Sequence, residues 1–220
     1  TSSQTLQASG KPSSGSRTNL DRVAGLYISD AAGTLVASAG HDVNLLGAVV
    51  QSQGHLQINA GNNINLGTVQ TSFNHSQDLD ASNFERRSSS HEVGSQVQAQ
   101  GSIILSSGVD LNIKAASVQA GNSLTVESGR DINIQAGLDT SKAQIQFHSK
   151  SSGLLSSSSR TVQDSQSSTT ALASNLGGST VHMVAGTSTT PTGQGNIRIQ
   201  GSNVISDNAT TLNAAGNVNI

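Results

Sequence analysis

The sequence predicts an all-β chain wound as a parallel β-helix of about 21 residues per coil, and three observations predict it. The pattern Gly-x-[Asp/Asn]-aliphatic-Asn-aliphatic returns as Gly40-His41-Asp42-Val43-Asn44-Leu45, Gly61-Asn62-Asn63-Ile64-Asn65-Leu66, Gly108-Val109-Asp110-Leu111-Asn112-Ile113 and Gly129-Arg130-Asp131-Ile132-Asn133-Ile134, with a shortened copy at Gly216-Asn217-Val218-Asn219-Ile220. The first two copies lie 21 residues apart, as do the third and fourth, an interval typical of stacked solenoid units. Only 33% of the 220 residues are hydrophobic and 2% aromatic, with no Trp, which is too little for a globular core but enough Val, Ile and Leu for a thin one. The 23 Gly against 2 Pro suit many tight corners, where Gly supplies positive φ.

The same interval relates the other half of the unit: Leu35 and Ala37 recur as Leu56 and Ile58, Ile103 and Leu105 as Leu124 and Val126, and Ile197 and Ile199 as Val218 and Ile220. Apolar and polar residues alternate over three to five positions at a time, so each unit holds three short strands with aliphatic side chains on one face. Coils are expected at residues 31–51, 52–72, 97–117, 118–138 and 194–220. Asn44, Asn65, Asn112 and Asn133 each sit between two inward aliphatics and therefore point outward, into a stacked amide ladder. One coil alone cannot offset the backbone entropy it loses, so the units must stack.

Two stretches break the period. Residues 1–22 read as a flexible, Ser- and Gly-rich lead-in, and 23–220 as the repeat segment with insertions at 73–96 and 139–193. All three Phe (73, 84 and 147) fall in the insertions, which marks these as structured excursions of hairpin or loop type. Ala143–Phe147 and Thr180–Val184 both alternate and are expected to pair in an extruded hairpin, with 151–179 as its arms or a mobile tip; disorder of this Ser-rich part is the alternative.

The net charge of −2 and the absence of any Lys or Arg run argue against a nucleic-acid or anionic-membrane surface. Without Cys there are neither disulfides nor thiolate metal sites. There is no signal peptide and no apolar run of 18 residues or more. The chain opens inside a polar stretch and stops in mid-repeat, so it is expected to be a piece of a longer protein with its export signal elsewhere.

Asp42, Asp110 and Asp131 occupy one repeat position, and carboxylates on successive coils suit polysaccharide cleavage. Asn63 replaces the acid in one copy and Asn217 stands near it in the last, which favours instead a corner residue capping its own backbone. The six His (41, 55, 75, 91, 148 and 182) show no metal-ligand spacing, and no calcium β-roll period, nucleophile elbow or phosphate loop is present. No catalytic, cofactor-binding or metal residue is assigned. Glu85-Arg86-Arg87 with His91 and Glu92 reads as a solvated hairpin face or a patch for a partner. Asn74-His75-Ser76 and Asn208-Ala209-Thr210 match the glycosylation pattern, which is background in a bacterial protein.

Ala24-Gly25-Leu26-Tyr27-Ile28, the run from Leu35 through Ala39-Gly40-His41-Asp42-Val43-Asn44-Leu45, and Ser90-His91-Glu92-Val93-Gly94-Ser95 leading into Gly101-Ser102-Ile103 resemble the haemagglutinin repeats of filamentous-haemagglutinin-like exoproteins. The resemblance covers about residues 23–138 and 194–220, and Lys150-Ser151-Ser152-Gly153-Leu154-Leu155 is similar to inserts of the second repeat region of contact-dependent growth-inhibition proteins. It implies a right-handed β-helix rod of a secreted or cell-surface Gram-negative protein, exported by an outer-membrane two-partner secretion transporter. In growth inhibition, it implies a segment held in the periplasm and then engaging the target cell's outer membrane to deliver a toxin. No catalytic residue comes with it. An adhesin module binding a surface ligand through its insertions, and a carbohydrate-active enzyme using Asp110 and Asp131, are the competing readings. End-to-end self-association through exposed coil edges is also expected.

Overall fold

Ile103 pairs with Leu56 on one side and Leu124 on the other, in a column of aliphatic side chains built by parallel neighbours with aliphatic residues at the same two positions. In the computed structural model, which describes residues 2–7, 13–187 and 189–220, six windings stack in this way, and no described residue is helical. Each winding lays down three strands. The first face holds Gly25–Ile28, Val49–Ser52, Gln96–Ala99, Ser117–Ala120 and the first parts of Asn175–Ala185 and Asn203–Ala214. The second holds Thr34–Ala39, His55–Ala60, Ile103–Ser107, Ser123–Ser128 and the later parts of the same two long strands. The third holds Val43–Leu46, the start of Ile64–Asp80, Leu111–Lys114, Ile132–Gln135, Ile197–Gln200 and Val218–Asn219.

The alternation works as the pattern requires. Ile64, Leu66, Leu111, Ile113, Ile132 and Ile134 are buried, while Asn65, Asn112 and Asn133 between them reach the outside. The repeated corner glycines serve a purpose other than the expected positive φ. Gly61, Gly108 and Gly129 have none, but a Cβ on each would lie 2.1 Å from the carbonyl oxygen of the corner glycine one winding earlier. The stack is simply too close there for any side chain.

The chain divides into two compact units. The stack comprises Val23–Val69, Val93–Gly137 and Ala171–Ile220; the second unit comprises Thr1–Arg22, Gln70–Glu92 and Leu138–Thr170. The second unit is a sheet with strands in the order Ser2–Gln7, Ser13–Asn19, the later part of Ile64–Asp80, Asn83–Gly94, Gly137–Ser152 and Ser157–Leu172. It is made of hairpins. The returning strand of one pairs antiparallel with the outgoing strand of the next, Ser13–Thr18 with Ser72–Gln77 and Phe84–Ser90 with Thr140–Gln146.

Three expectations are corrected. Residues read as a flexible lead-in contain two strands, held by those ladders. Thr180–Val184 does not pair with Ala143–Phe147: it lies in the stack beside Ser123–Glu127, whereas Ala143–Gln146 pairs with Phe84–Arg87. There are therefore six windings where five were expected. The missed one escaped the 21-residue interval because a bulge at Gly178/Thr180 and the loop before Gly195 change its length.

Departures to the hairpin sheet follow every second winding, after Leu66 and after Gln135. The intervening corners close tightly, each with one residue at positive φ: Gly47 (56°), Ala115 (48°) and Gly201 (57°).

Candidate functional site

The acidic position is the first place to look for chemistry. Asp42 accepts hydrogen bonds from the backbone N–H of Asn63 (2.9 Å) and from its amide (3.0 Å). Asn63 Oδ1 accepts from the Asp110 N–H (3.1 Å), Asp110 from the Asp131 N–H (3.2 Å), Asp131 from the Asn196 N–H (2.8 Å), and Asn196 from the Asn217 N–H (3.0 Å). One unbroken ladder thus ties all six windings. The side chain caps the next winding rather than its own backbone, which corrects the sequence reading. Only one oxygen is needed for this, so Asp and Asn interchange.

The outward Asn residues form a second ladder: Asn65 donates to Asn44 (2.8 Å), Asn112 to Asn65 (2.9 Å) and Asn133 to Asn112 (3.1 Å). Where two carboxylates adjoin, Arg130 intervenes, forking onto Asp110 (Nε to Oδ1, 2.7 Å) and lying 3.9 Å from Asp131. The Arg130 hydrogen bond holds the Asp110 carboxyl below its ordinary range, against the opposing effect of burial. The Asp110 carboxyl is thereby a bound anion, unsuited to donating a proton at neutral pH.

The period could not show what fastens the chain where it returns from a hairpin. Ser95, wholly buried, donates to the carbonyls of Leu45 (2.7 Å) and Gly67 (3.0 Å) and accepts from the Ala48 N–H (3.3 Å). Ser174 does the same one return later, donating to Gln135 (2.8 Å) and accepting from the Ala116 N–H (3.2 Å). A hydroxyl is the one small group that both donates and accepts inside such a corner.

The hairpin unit holds a groove of about 710 Å³ to which all six of its strands contribute. Its walls are hydroxyls and amides, including Thr5, Ser16, Asn74, Ser88, Gln144 and Ser165, with Arg86, Arg87 and Lys142 as cations and no lining carboxylate. Arg86 is fixed before any ligand arrives: Asp78 holds its guanidinium at 2.9 Å, and its carbon lies 4.4 Å above the centre of the Phe84 ring. Asp78 in turn is kept below its ordinary pKa first by the Ser76 hydroxyl, against burial, and then by Arg86. Arg87 pairs with Glu85 (2.6 Å), and Lys142 has no ion pair among the described residues. Of the charge cluster singled out in the sequence, Arg86 and Arg87 line this groove; His91 bonds Asp139 at the joint between two hairpins, and Glu92 accepts from the Leu138 N–H. Burial pushes the Asp139 carboxyl up, but the Glu92 N–H and His91 outweigh it and hold it low. Lys142 and the serines of the groove carry no sequence signal, because their contributions are spread over more than 160 residues.

The histidines are dispersed. His41 meets Asn62 (3.3 Å), His55 accepts from the Ser102 N–H (3.1 Å), His75 stacks on Phe73 and His148 meets Thr161 (2.8 Å). Among the described residues, no three His, Cys, Asp or Glu gather in a metal-sized cluster.

A family model, the hemagglutinin repeat, matches residues 3–82, 80–159 and 155–220. The chain belongs to the hemagglutinin repeat family. Neither the curated proteins nor the solved structures gave a match. The three matched stretches meet in the hairpin turns, between Asp80 and Asn83 and between Ser152 and Ser157. The middle stretch is thus a returning hairpin strand, two windings and an outgoing hairpin strand, and the 21-residue interval is the winding inside it. Such repeats make structural or adhesin-type rod segments of secreted or cell-surface bacterial proteins, and that is the coarse role of this chain.

Proposed function

We propose that the chain is a non-catalytic structural and delivery segment of a secreted exoprotein, of the kind that forms the second repeat region in contact-dependent growth inhibition. The ladder from Asp42 to Asn217 supports this most directly: the repeated polar side chains are spent holding one winding to the next. In this reading an outer-membrane two-partner secretion transporter exports the chain from a Gram-negative cell, the periplasm holds it before delivery, and the hairpins meet the target cell's outer membrane. The test replaces residues 143–166 by an Asn-Gly turn and follows binding of the purified chain to Gram-negative cells, together with target-cell inhibition by the parent exoprotein. Loss of both with an unchanged melting curve is expected; unaltered binding and inhibition overturn the delivery role of the hairpins.

The groove favours a second reading, an adhesin module. Rows of hydroxyl and amide groups around a pre-fixed Arg86 and a Lys142 without an ion pair among the described residues suit a polyol chain with anionic substituents. An Arg86→Gln, Lys142→Gln variant should lose binding to acidic polysaccharides while keeping its fold; equal binding by the variant removes the groove from consideration.

A further inference from the structure

Leu154 and Leu155 fill the turn that closes the third hairpin, between Gly137–Ser152 and Ser157–Leu172, where the Gly153 N–H donates to the Ser156 carbonyl (2.7 Å). Their relative exposures are 102% and 98%, whereas the other exposed large apolar side chains among the described residues, the last residue apart, reach at most 64%. Two leucines side by side and fully exposed at a hairpin turn are the reverse of how the stack treats its core leucines, such as Leu56, Leu105 and Leu124, which are buried.

The charges around the tip are also segregated. Residues 140–163 contain Lys142, Lys150 and Arg160 and no Asp or Glu, although the whole chain carries 13 acidic residues against 11 basic. The overall balance that argued against an anionic surface conceals this local excess. Lys150 and Arg160 lie four and five residues from the leucines, about 13 to 17 Å along their strands. That is within reach of headgroups when the tip enters the edge of a bilayer, and the intervening positions are Ser and Gly, which tolerate an interface.

We infer that the Leu154–Leu155 tip is a lipid-insertion element that docks the hairpin on an anionic bilayer, with Lys150 and Arg160 against the headgroups. The inference rests on the reading of the chain as a surface-acting segment and names the surface. A convex apex without a groove gives a folded protein partner little to recognise, whereas a bilayer asks only for apolar side chains at its edge and cations beside them.

The chain has no Trp, so Leu154→Trp places a single reporter at the tip of the full 220-residue protein. With vesicles containing phosphatidylglycerol its emission should shift to the blue, and less so with phosphatidylcholine alone. The parent chain should co-sediment with the anionic vesicles, Leu154→Ser with Leu155→Ser should lose about tenfold of that binding, and Lys150→Gln with Arg160→Gln should lose the preference for anionic lipid. Unchanged emission, equal sedimentation of the serine variant, or a blue shift that appears without vesicles as protein concentration rises, which marks contact between copies, each overturns the inference. Failure with vesicles alongside hairpin-dependent cell binding sinks the lipid step alone; cell binding that survives loss of the hairpin sinks the reading beneath it.

Discussion

Asp131 and Asn196 stand 65 residues apart in sequence and one winding apart in space, and the Asp131 Oδ1 receives both the Asn196 backbone N–H at 2.8 Å and its amide at 2.9 Å. The long second excursion between them leaves the rung unaltered from the one that joins Asp42 to Asn63 across only 21 residues. The ladder registers windings, not sequence distance. Hairpins of any length can leave the stack so long as the returning chain meets the same rung.

The pH dependence of stability follows from the rung that bears a charge. Arg130 first, and the Asp131 N–H as well, hold the Asp110 carboxyl below its ordinary value despite burial. Asp110 has a depressed folded-state pKa, so its contribution is complete above the unfolded value of about 3.9 and disappears as pH falls through the lower folded value. Thermal melting should therefore be level from neutral pH to about 5 and decline below about 4. Asp78, Asp80 and Asp139 are also held low and add to the decline, so the diagnostic comparison is with Arg130→Gln. That variant should melt lower at pH 7 and show a shallower acid decline; parallel curves would remove Arg130 as the cause.

Gly108→Ala tests the close approach of windings. Its Cβ would stand 2.1 Å from the Gly61 carbonyl oxygen, and the Gly108 N–H is already tied to Ala60 (3.0 Å), so the backbone cannot easily yield. The expected loss is about 1–3 kcal/mol. Gly40→Ala, the same motif position with nothing within 4 Å of the new Cβ, should stay within about 0.5 kcal/mol of the parent in denaturant unfolding.

Columns such as Ile64–Leu111–Ile132 were legible because like side chains recur at a fixed interval, and stacking rewards like upon like. The fifth winding was not, since Gly177-Gly178-Ser179 and a bulge replace the Gly-x-Leu-x-Val pattern around Leu176 and Val181. The alternation of tight corners with excursions also lay beyond reach, because it is written in a repeat of nearly 80 residues with only two short Gly positions, Gly47 and Gly201, as local signs. The interchange of Asp and Asn pointed correctly to structure but not to the acceptor role toward the neighbouring winding. The groove was legible only at Arg86 and Arg87, which stand in the charge cluster: Thr5, Lys142 and Ser165 share no motif with them and meet them only through strand pairing.

Ala115→Gly should stabilise the protein. Ala115 holds φ of 48° at a corner where the equivalent windings use Gly47 and Gly201. The left-handed conformation costs a residue with a Cβ about 1–2 kcal/mol, and the added freedom of Gly in the unfolded chain returns about 0.4–1 kcal/mol of that. A net gain of about 0.5–1 kcal/mol is expected, read as a raised melting temperature; a fall would mean that packing of the buried methyl outweighs the backbone strain.

Two serines buried in the same stack should respond in opposite directions to the same substitution. Ser174→Ala strands the Ala116 N–H, whose hydrogen bond goes to the Ser174 hydroxyl (3.2 Å), and takes a donor from the Gln135 carbonyl. A buried donor left without an acceptor costs about 1–3 kcal/mol, and no water reaches a corner in which Ser174 is fully enclosed. Ser128 is also buried, but its hydroxyl has no partner among the described residues, while Ala185 and Ala60 hold the equivalent position in other windings. Ser128→Ala removes a desolvated hydroxyl without leaving a void larger than one oxygen, so it should gain about 1 kcal/mol. Denaturant unfolding of the two variants side by side decides the matter, since a change in hydroxyl content alone would move both in the same direction.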